Sequence, residues 1–290
     1  MNDWFKHCTI CPRRCGVDRT QASGACGEKN EMRVAKAMLH FFEEPPISGE
    51  KGSGAIFFYG CNLRCGYCQN APISHGGTGG ETTVQQLYKT MLDLQEKGAH
   101  NVNLVTAAHF APLVAEALKE AKPQLKIPVV YNSSGYELAE TLALFEGLVD
   151  IYLPDFKYAS EEAAERYSKA ADYPQVCERA IAEMVRQVGA YREENGLAAK
   201  GVLIRHLVLP GLSRDGERVM QTIARKFPLA RVSVMRQYTP AFNKTGDPNL
   251  DRPVTSFEYN RVVSAALRLG LRGFMQDASA VSTAFTPDFR

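Results

Sequence analysis

Between residues 54 and about 236 the chain switches repeatedly between short apolar runs and amphipathic stretches. The runs AIFFY (55–59), VNLVT (102–106), IPVVYN (127–132), VDIYL (149–153), VLIRHLVL (202–209) and VSVM (232–235) have strand length and composition. Between them, residues 83–97, 110–122, 137–146, 174–193 and 215–226 space their apolar side chains as helices do. Val84, Leu87, Met91 and Leu94 mark one face of the first, and Thr82 or Thr83 is placed to cap it. Strands joined through helices run parallel, because a parallel pair needs a long crossover connection. Six such units fall short of a closed eight-fold barrel. The expected fold is therefore α/β, an open or partial (β/α)6 barrel, with function at the C-terminal ends of its strands. Residues 1–53, punctuated by Cys, Gly and Pro, are read as a Cys-rich N-terminal segment ahead of a barrel-and-tail unit, 54–290.

The chain of 290 residues is long enough to bury a core without disulfide staples. A net charge of +2, from 34 Lys and Arg against 32 Asp and Glu, gives no electrostatic case for nucleic acid or an anionic membrane as the main partner. No apolar run reaches the length of a membrane span. The start, MNDWFKHC, lacks the apolar stretch of a signal peptide, so the expected compartment is the cytoplasm.

Seven of the eight cysteines lie in the first 68 residues, in two tight groups, which in a reducing compartment points to metal rather than disulfides. Cys61, Cys65 and Cys68 are spaced C-x3-C-x2-C in the loop after the first predicted strand. An iron–sulfur cubane takes four thiolates, so three leave one iron open to a substrate or cofactor. A three-cysteine zinc site completed by a distant His is the alternative reading of the same residues. Cys8, Cys11, Cys15 and Cys26, spaced C-x2-C-x3-C-x10-C, suit either a closed structural zinc site or an auxiliary 4Fe–4S cluster. Cys177, on a predicted helix, reads as a packed thiol.

The segment 60–70, GCNLRCGYCQN, resembles the signature of the radical S-adenosylmethionine (SAM) superfamily. GSGAIFFYGC with the following CQN resembles the glycyl-radical-enzyme activases. Together with LHFFEEPPISGEKGSG, GAHNVNLVTAAHF, VVYNSSGY, DIYLPDFKY and RHLVLPG, the chain resembles the pyruvate formate-lyase activating enzyme-related (PflX-like) group. The simple activases lack the four-cysteine segment. The resemblance implies a partial β/α barrel of the radical SAM type with a Cys-rich N-terminal extension, a 4Fe–4S cluster and SAM. It implies reductive cleavage of SAM to methionine and a 5′-deoxyadenosyl radical that abstracts hydrogen from substrate. It implies a flavodoxin- or ferredoxin-type electron donor and, as partner, a glycyl radical enzyme. A small molecule or another macromolecule as substrate is the alternative, and an iron–sulfur or zinc scaffold that leaves SAM intact is the non-enzyme one.

The resemblance also nominates cofactor contacts. The superfamily's Gly-Gly-Glu element is replaced at the end of the second strand by Thr106-Ala107-Ala108-His109, so Thr106 and His109 are candidates; Gly79-Gly80-Glu81 lies too early in the chain. Asn132 and Ser133 stand where the activases carry an Asp-Thr-Asn-Gly turn. Asp155 and Lys157 match an Asp-x-Lys element in which the lysine pairs with the SAM carboxylate. Arg205 and His206 fall on opposite faces of one strand, and His206 is the expected inward residue. Gln237 follows the sixth strand as a polar SAM contact, with Tyr238 a packed aromatic. His40, Glu43 and Glu44 precede the first strand and receive no chemical role.

Overall fold

A computed structural model describes residues 3–77 and 79–276, together with Pro287 and Phe289. Among the described residues the nine strands are β1 (Val34–His40), β2 (Ser53–Phe58), β3 (Val102–Val105), β4 (Val129–Ser133), β5 (Ile151–Pro154), β6 (Arg192–Glu194), β7 (Leu197–Leu207), β8 (Arg231–Met235) and β9 (Gly273–Met275). They pair in the order β1-β2-β3-β4-β5-β7-β8-β9, with β6 folded back on β7 as an antiparallel hairpin. From β2 to β9 every pairing along this path is parallel. β1 runs antiparallel to β2, His40 opposite Ser53. The order is linear, so among the described residues the sheet is open between β1 and β9. The expected α/β fold with a parallel sheet is present. Residues 1–53 contribute β1 to that sheet, and the tail contributes a seventh parallel strand, β9.

The strands of β2 to β5 are buried along their whole length, which is why they read as continuous apolar runs. Alternate residues face two different cores. Ile56, Phe58, Leu104, Tyr131, Tyr152, Ile204 and Val234 pack outward under the helices. Val130, Ile151, Leu153 and Leu203 face inward and close around Ile47 from the short helix Pro45–Ser48. That helix forms a floor at the N-terminal end of the sheet. Helix Val84–Glu96 begins at Thr83, whose hydroxyl accepts from Gln86 N (3.2 Å) while Gln86 Oε1 accepts from Thr83 N (2.8 Å), a complete capping box. The helices Ala111–Ala121, Tyr173–Val188, Ser213–Lys226 and Ser256–Arg268 complete the outer layer. No helix among the described residues is long and apolar enough to cross a membrane.

Candidate active site

The C-terminal ends of the strands surround one cavity. Phe57 and Phe58 of β2, Val105 of β3, Asn132 and Ser133 of β4, Arg205 and Leu207 of β7 and Met235 of β8 all reach it. A flat sheet cannot bring strands this far apart to one space, so the sheet curves around it. Cys61, Cys65 and Cys68 line the same cavity.

Each of the three sulfurs accepts one hydrogen bond: Cys61 Sγ from Leu63 N (3.4 Å), Cys65 Sγ from Ser168 Oγ (3.1 Å) and Cys68 Sγ from Ser74 Oγ (3.3 Å). Burial pushes the Cys61 thiol up to about 12 and raises that of Cys68. Tyr67, between the last two cysteines, is buried against the rings of Tyr158, Tyr167 and Tyr238. Its hydroxyl lies 2.7 Å from that of Tyr158, which lies 2.9 Å from Ser168 Oγ, so a string of hydroxyls runs from Tyr67 to the sulfur of Cys65.

The same cavity carries a charged network. Arg205 donates from Nε to Asp155 (2.9 Å), from one terminal nitrogen to Glu43 (2.9 Å) and from the other to Asn132 Oδ1 (2.6 Å). Lys157 Nζ reaches the second oxygen of Asp155 (2.7 Å). Asn103 and Asn132 donate their amides to Glu43 Oε1 (3.2 and 3.1 Å). Burial alone would raise the Asp155 carboxyl, but Arg205 and Lys157 outweigh it and hold it below the usual range. Burial would lower the Lys157 ammonium; Asp155 outweighs that and holds it charged. Burial raises the Glu44 carboxyl even beside Arg205.

The sequence-nominated Thr106, Asn132, Ser133, Asp155, Lys157 and Gln237 all line this cavity. Thr106 does so with a φ of 63°, a left-handed conformation that a β-branched residue resists. Gly135, at φ 74°, ends the turn after β4, where a Cβ would fall 2.3 Å from the Asp155 carbonyl oxygen.

Two nominations are corrected. His206 shares the parity of Ile204, not of Leu203, and points to the helices; its Nδ1 lies 2.8 Å from the Phe156 carbonyl, and Gly216 gives its ring room. Arg205 is the inward residue. His109 lies outside the cavity lining, its Nε2 2.7 Å from the Tyr59 carbonyl and its ring 4.3 Å from that of Phe110. Burial, then Arg19, holds its imidazole down near about 3, hence neutral.

The residues that sequence reasoning passed over are Arg205, Glu43 and Asn70. Asn70 Oδ1, in the cavity wall, is buried with no donor partner among the described residues. It directly follows the cysteine loop, which was its available signal. Glu43 meets Arg205 across 162 positions of sequence, and no local pattern announces that. The four N-terminal thiols, Cys8, Cys11, Cys15 and Cys26, are unbridged. Neither they nor Cys61, Cys65 and Cys68 are gathered around a single-ion position.

The open parallel α/β sheet carries the three cysteines of one loop at the C-terminal ends of its strands, the place where such sheets bind ligands. The sequence profile of the radical SAM superfamily matches residues 55–223, more than half of the chain, and the protein belongs to that superfamily. It is 31% identical over 280 residues to an uncharacterized protein of Methanocaldococcus jannaschii, covering 92% of this chain and 76% of that one. It is 24% identical over 211 residues to the pyruvate formate-lyase-activating enzyme of Clostridium pasteurianum, covering 70% of this chain and 82% of that one. Among solved structures, it resembles SuiB of Streptococcus suis, bound there to the precursor peptide SuiA, with a TM-score of 0.53 and 10% identity. That match covers 78% of this chain and about half of SuiB, 48%, and concerns the fold alone.

The superfamily implies a 4Fe–4S cluster and SAM, and the residues present fit both. Three sulfurs, each already hydrogen-bonded, face one cavity. The cation of Lys157 lines the same cavity as Cys65 and Cys68. The orphaned Asn70 Oδ1 supplies an acceptor of the kind an ammonium group satisfies.

Proposed function

We propose that the protein is a radical SAM enzyme whose cluster is held by Cys61, Cys65 and Cys68, with SAM beside it against Asn70, Thr106, Asn132, Ser133, Lys157 and Gln237. When bound, cluster and SAM supply one-electron cleavage of a carbon–sulfur bond and a 5′-deoxyadenosyl radical that takes hydrogen from substrate. The chain's own residues bind and orient. Lys157 offers a cation for the SAM carboxylate, aimed by Asp155, which Arg205 in turn fixes. Ser74, Ser168 and the Leu63 N–H donate to the sulfurs and favour the reduced cluster electrostatically. The packed Tyr67, Tyr158 and Tyr167 rings shield the loop from water on its inner side.

The observation that carries this reading is that one cavity is lined by the three cysteines and by the Lys157–Asp155–Arg205 network. The test is formation of 5′-deoxyadenosine from SAM by the anaerobically reconstituted chain under a low-potential reductant. Product from wild type and none from Cys61→Ala/Cys65→Ala/Cys68→Ala is expected; a wild-type chain that holds about four irons more than this variant and leaves SAM intact refutes it and favours a scaffold.

The hydrogen donor in this reading is a glycine of a partner enzyme, with a flavodoxin- or ferredoxin-type protein as electron donor. The support is the activase-like loop and the similarity to the pyruvate formate-lyase-activating enzyme. Deuterium from the partner's glycine appearing in 5′-deoxyadenosine is the expected result; transfer from a small molecule instead assigns the alternative class. The four N-terminal cysteines hold a second centre, zinc or an auxiliary cluster.

A further inference from the structure

The N-terminal segment contains a buried charge that the radical chemistry leaves unexplained. Arg19 is 1% exposed. Its guanidinium donates to the carbonyls of Glu28 (3.1 Å), Lys29 (2.5 Å) and His109 (2.6 Å) and faces Cys8 Sγ at 3.8 Å. The rings of Phe5 and Phe110 lie 4.9 and 5.4 Å from it. Among the described residues it forms no ion pair with a carboxylate. Glu28, its near neighbour, gives both carboxylate oxygens to Arg33 at 2.6 and 2.7 Å. A buried cation whose partners are all neutral is strongly disfavoured.

The missing anion is available in the cysteines. Cys8, Cys11 and Cys26 are buried and Cys15 is half-buried, all in one segment. The chain is folded tightly around them: Cys8 exchanges backbone hydrogen bonds with Gly16 and Val17, and Cys15 Sγ and the Arg19 stem both crowd Gly24. Thiols are neutral; thiolates are what metals bind. Four thiolates around a dication leave the centre anionic, whether that dication is Zn2+ or an oxidised 4Fe–4S core.

The same segment rests on the loop of Cys61. The Cys26 carbonyl accepts from Cys61 N at 3.2 Å. Gly60, at φ 79°, admits no side chain, since a Cβ there would lie 2.4 Å from Glu28 Cγ and 3.0 Å from the Cys26 carbonyl.

We propose that Cys8, Cys11, Cys15 and Cys26 ligate a second metal centre, that Arg19 is its buried counter-cation, and that the centre fixes the catalytic loop through the Cys26–Cys61 hydrogen bond. The last clause rests on the cluster reading of Cys61, Cys65 and Cys68; the first two do not.

The test uses the full chain carrying Cys61→Ala/Cys65→Ala/Cys68→Ala, purified anaerobically and reconstituted with iron and sulfide or with zinc. About one zinc or about four irons retained per chain is expected, zinc identifying a closed structural site and iron a second cluster. No retained metal of either kind overturns the proposal while leaving SAM cleavage by wild type untouched. Conversely, loss of SAM cleavage as a reading leaves metal in this variant unaffected. In the same background, Arg19→Met is expected to release metal to a chelator at least about tenfold faster, the scale on which partners of metal ligands act. Arg19→Lys, which keeps the charge, is expected to stay closer to the parent than Arg19→Met does, and Arg19→Gln carries the test if Arg19→Met does not fold. Release from the neutral variant equal to that from the parent overturns the counter-cation role. With the catalytic cysteines intact, Cys8→Ala/Cys26→Ala is expected to change the electron paramagnetic resonance of the reduced catalytic cluster; an identical spectrum at full iron loading overturns the loop clause.

Discussion

Arg205 joins Glu43, Asp155 and Asn132, which come from three separate parts of the chain. Arg205→Met keeps the length of the side chain and removes its charge and its donors. Glu43 and Asp155 are then left with carboxylates whose side chains are only 9% and 16% exposed. Removing one partner of a buried ion pair costs about 3–5 kcal/mol, because the other charge stays behind without compensation. Lys157 still reaches Asp155, and two amides still reach Glu43, so the lower end applies, about 3 kcal/mol. Unfolding entropy scales with length to roughly 0.6 kcal/mol/K for this chain, so Tm should fall by about 5 °C. Thermal unfolding of the metal-free chain at pH 7, followed by circular dichroism, measures this. Adding Glu43→Gln removes the stranded charge, and the double variant should then recover about 1–2 kcal/mol relative to the sum of the single losses. A melting point within about 1 °C of wild type, or strict additivity, would refute the argument that Arg205 organises the network.

Thr106→Gly should relieve left-handed strain of about 1–2 kcal/mol and forfeit about 0.5–1 kcal/mol to chain entropy, a net gain visible as a higher urea midpoint; a lower midpoint would contradict the strain. Glu258 caps helix Ser256–Arg268, and Arg252, opposed by burial and aided by the Gly211 and Thr255 N–H groups, holds its carboxyl well below the usual range. A depressed carboxyl stabilises above its unfolded pKa and loses that stabilisation as pH falls through the folded one, so Glu258→Gln should cost about 1–2 kcal/mol at pH 7 and progressively less below about pH 4; equal losses at pH 7 and pH 3 would sink this. His206→Ala should lower Tm while 5′-deoxyadenosine formed per loaded cluster stays within about twofold of wild type, because the ring faces the helices; a larger loss would return it to the cavity. Ser168→Ala removes the hydroxyl that donates to Cys65 Sγ and should move the midpoint potential of the reconstituted cluster to a more negative value, measured by redox titration; an unmoved potential would show that the bond does not act on the cluster.

What was legible in the sequence was what is local. The cysteine loop is written in eight consecutive residues, 61–68, and it lies where its spacing and the preceding apolar run indicate. Asp155 and Lys157 fall on the cavity because they directly follow a strand. The run VLIRHLVL is apolar on both sides of the strand, so no alternation shows which of Arg205 and His206 turns inward; packing of Leu203 against Ile47 decides it. β9 is three residues long, too short for a periodic signal. β1 is half-buried on an antiparallel edge, and its sequence VAKAMLH mixes both kinds of residue. Helix Glu161–Ser168 is short and half charged, and its clearest mark is the Ser160 cap.

The short helix Pro45–Ser48 settles how the cavity is served. With Ile47 fully buried among the inward side chains of β4, β5 and β7, the base of the vessel is stoppered. That closes the approach along the strands from below and leaves, among the described residues, the C-terminal mouth and the open side between β1 and β9 as the ways in. A single isoleucine beneath the sheet thereby sets the side from which the site is served.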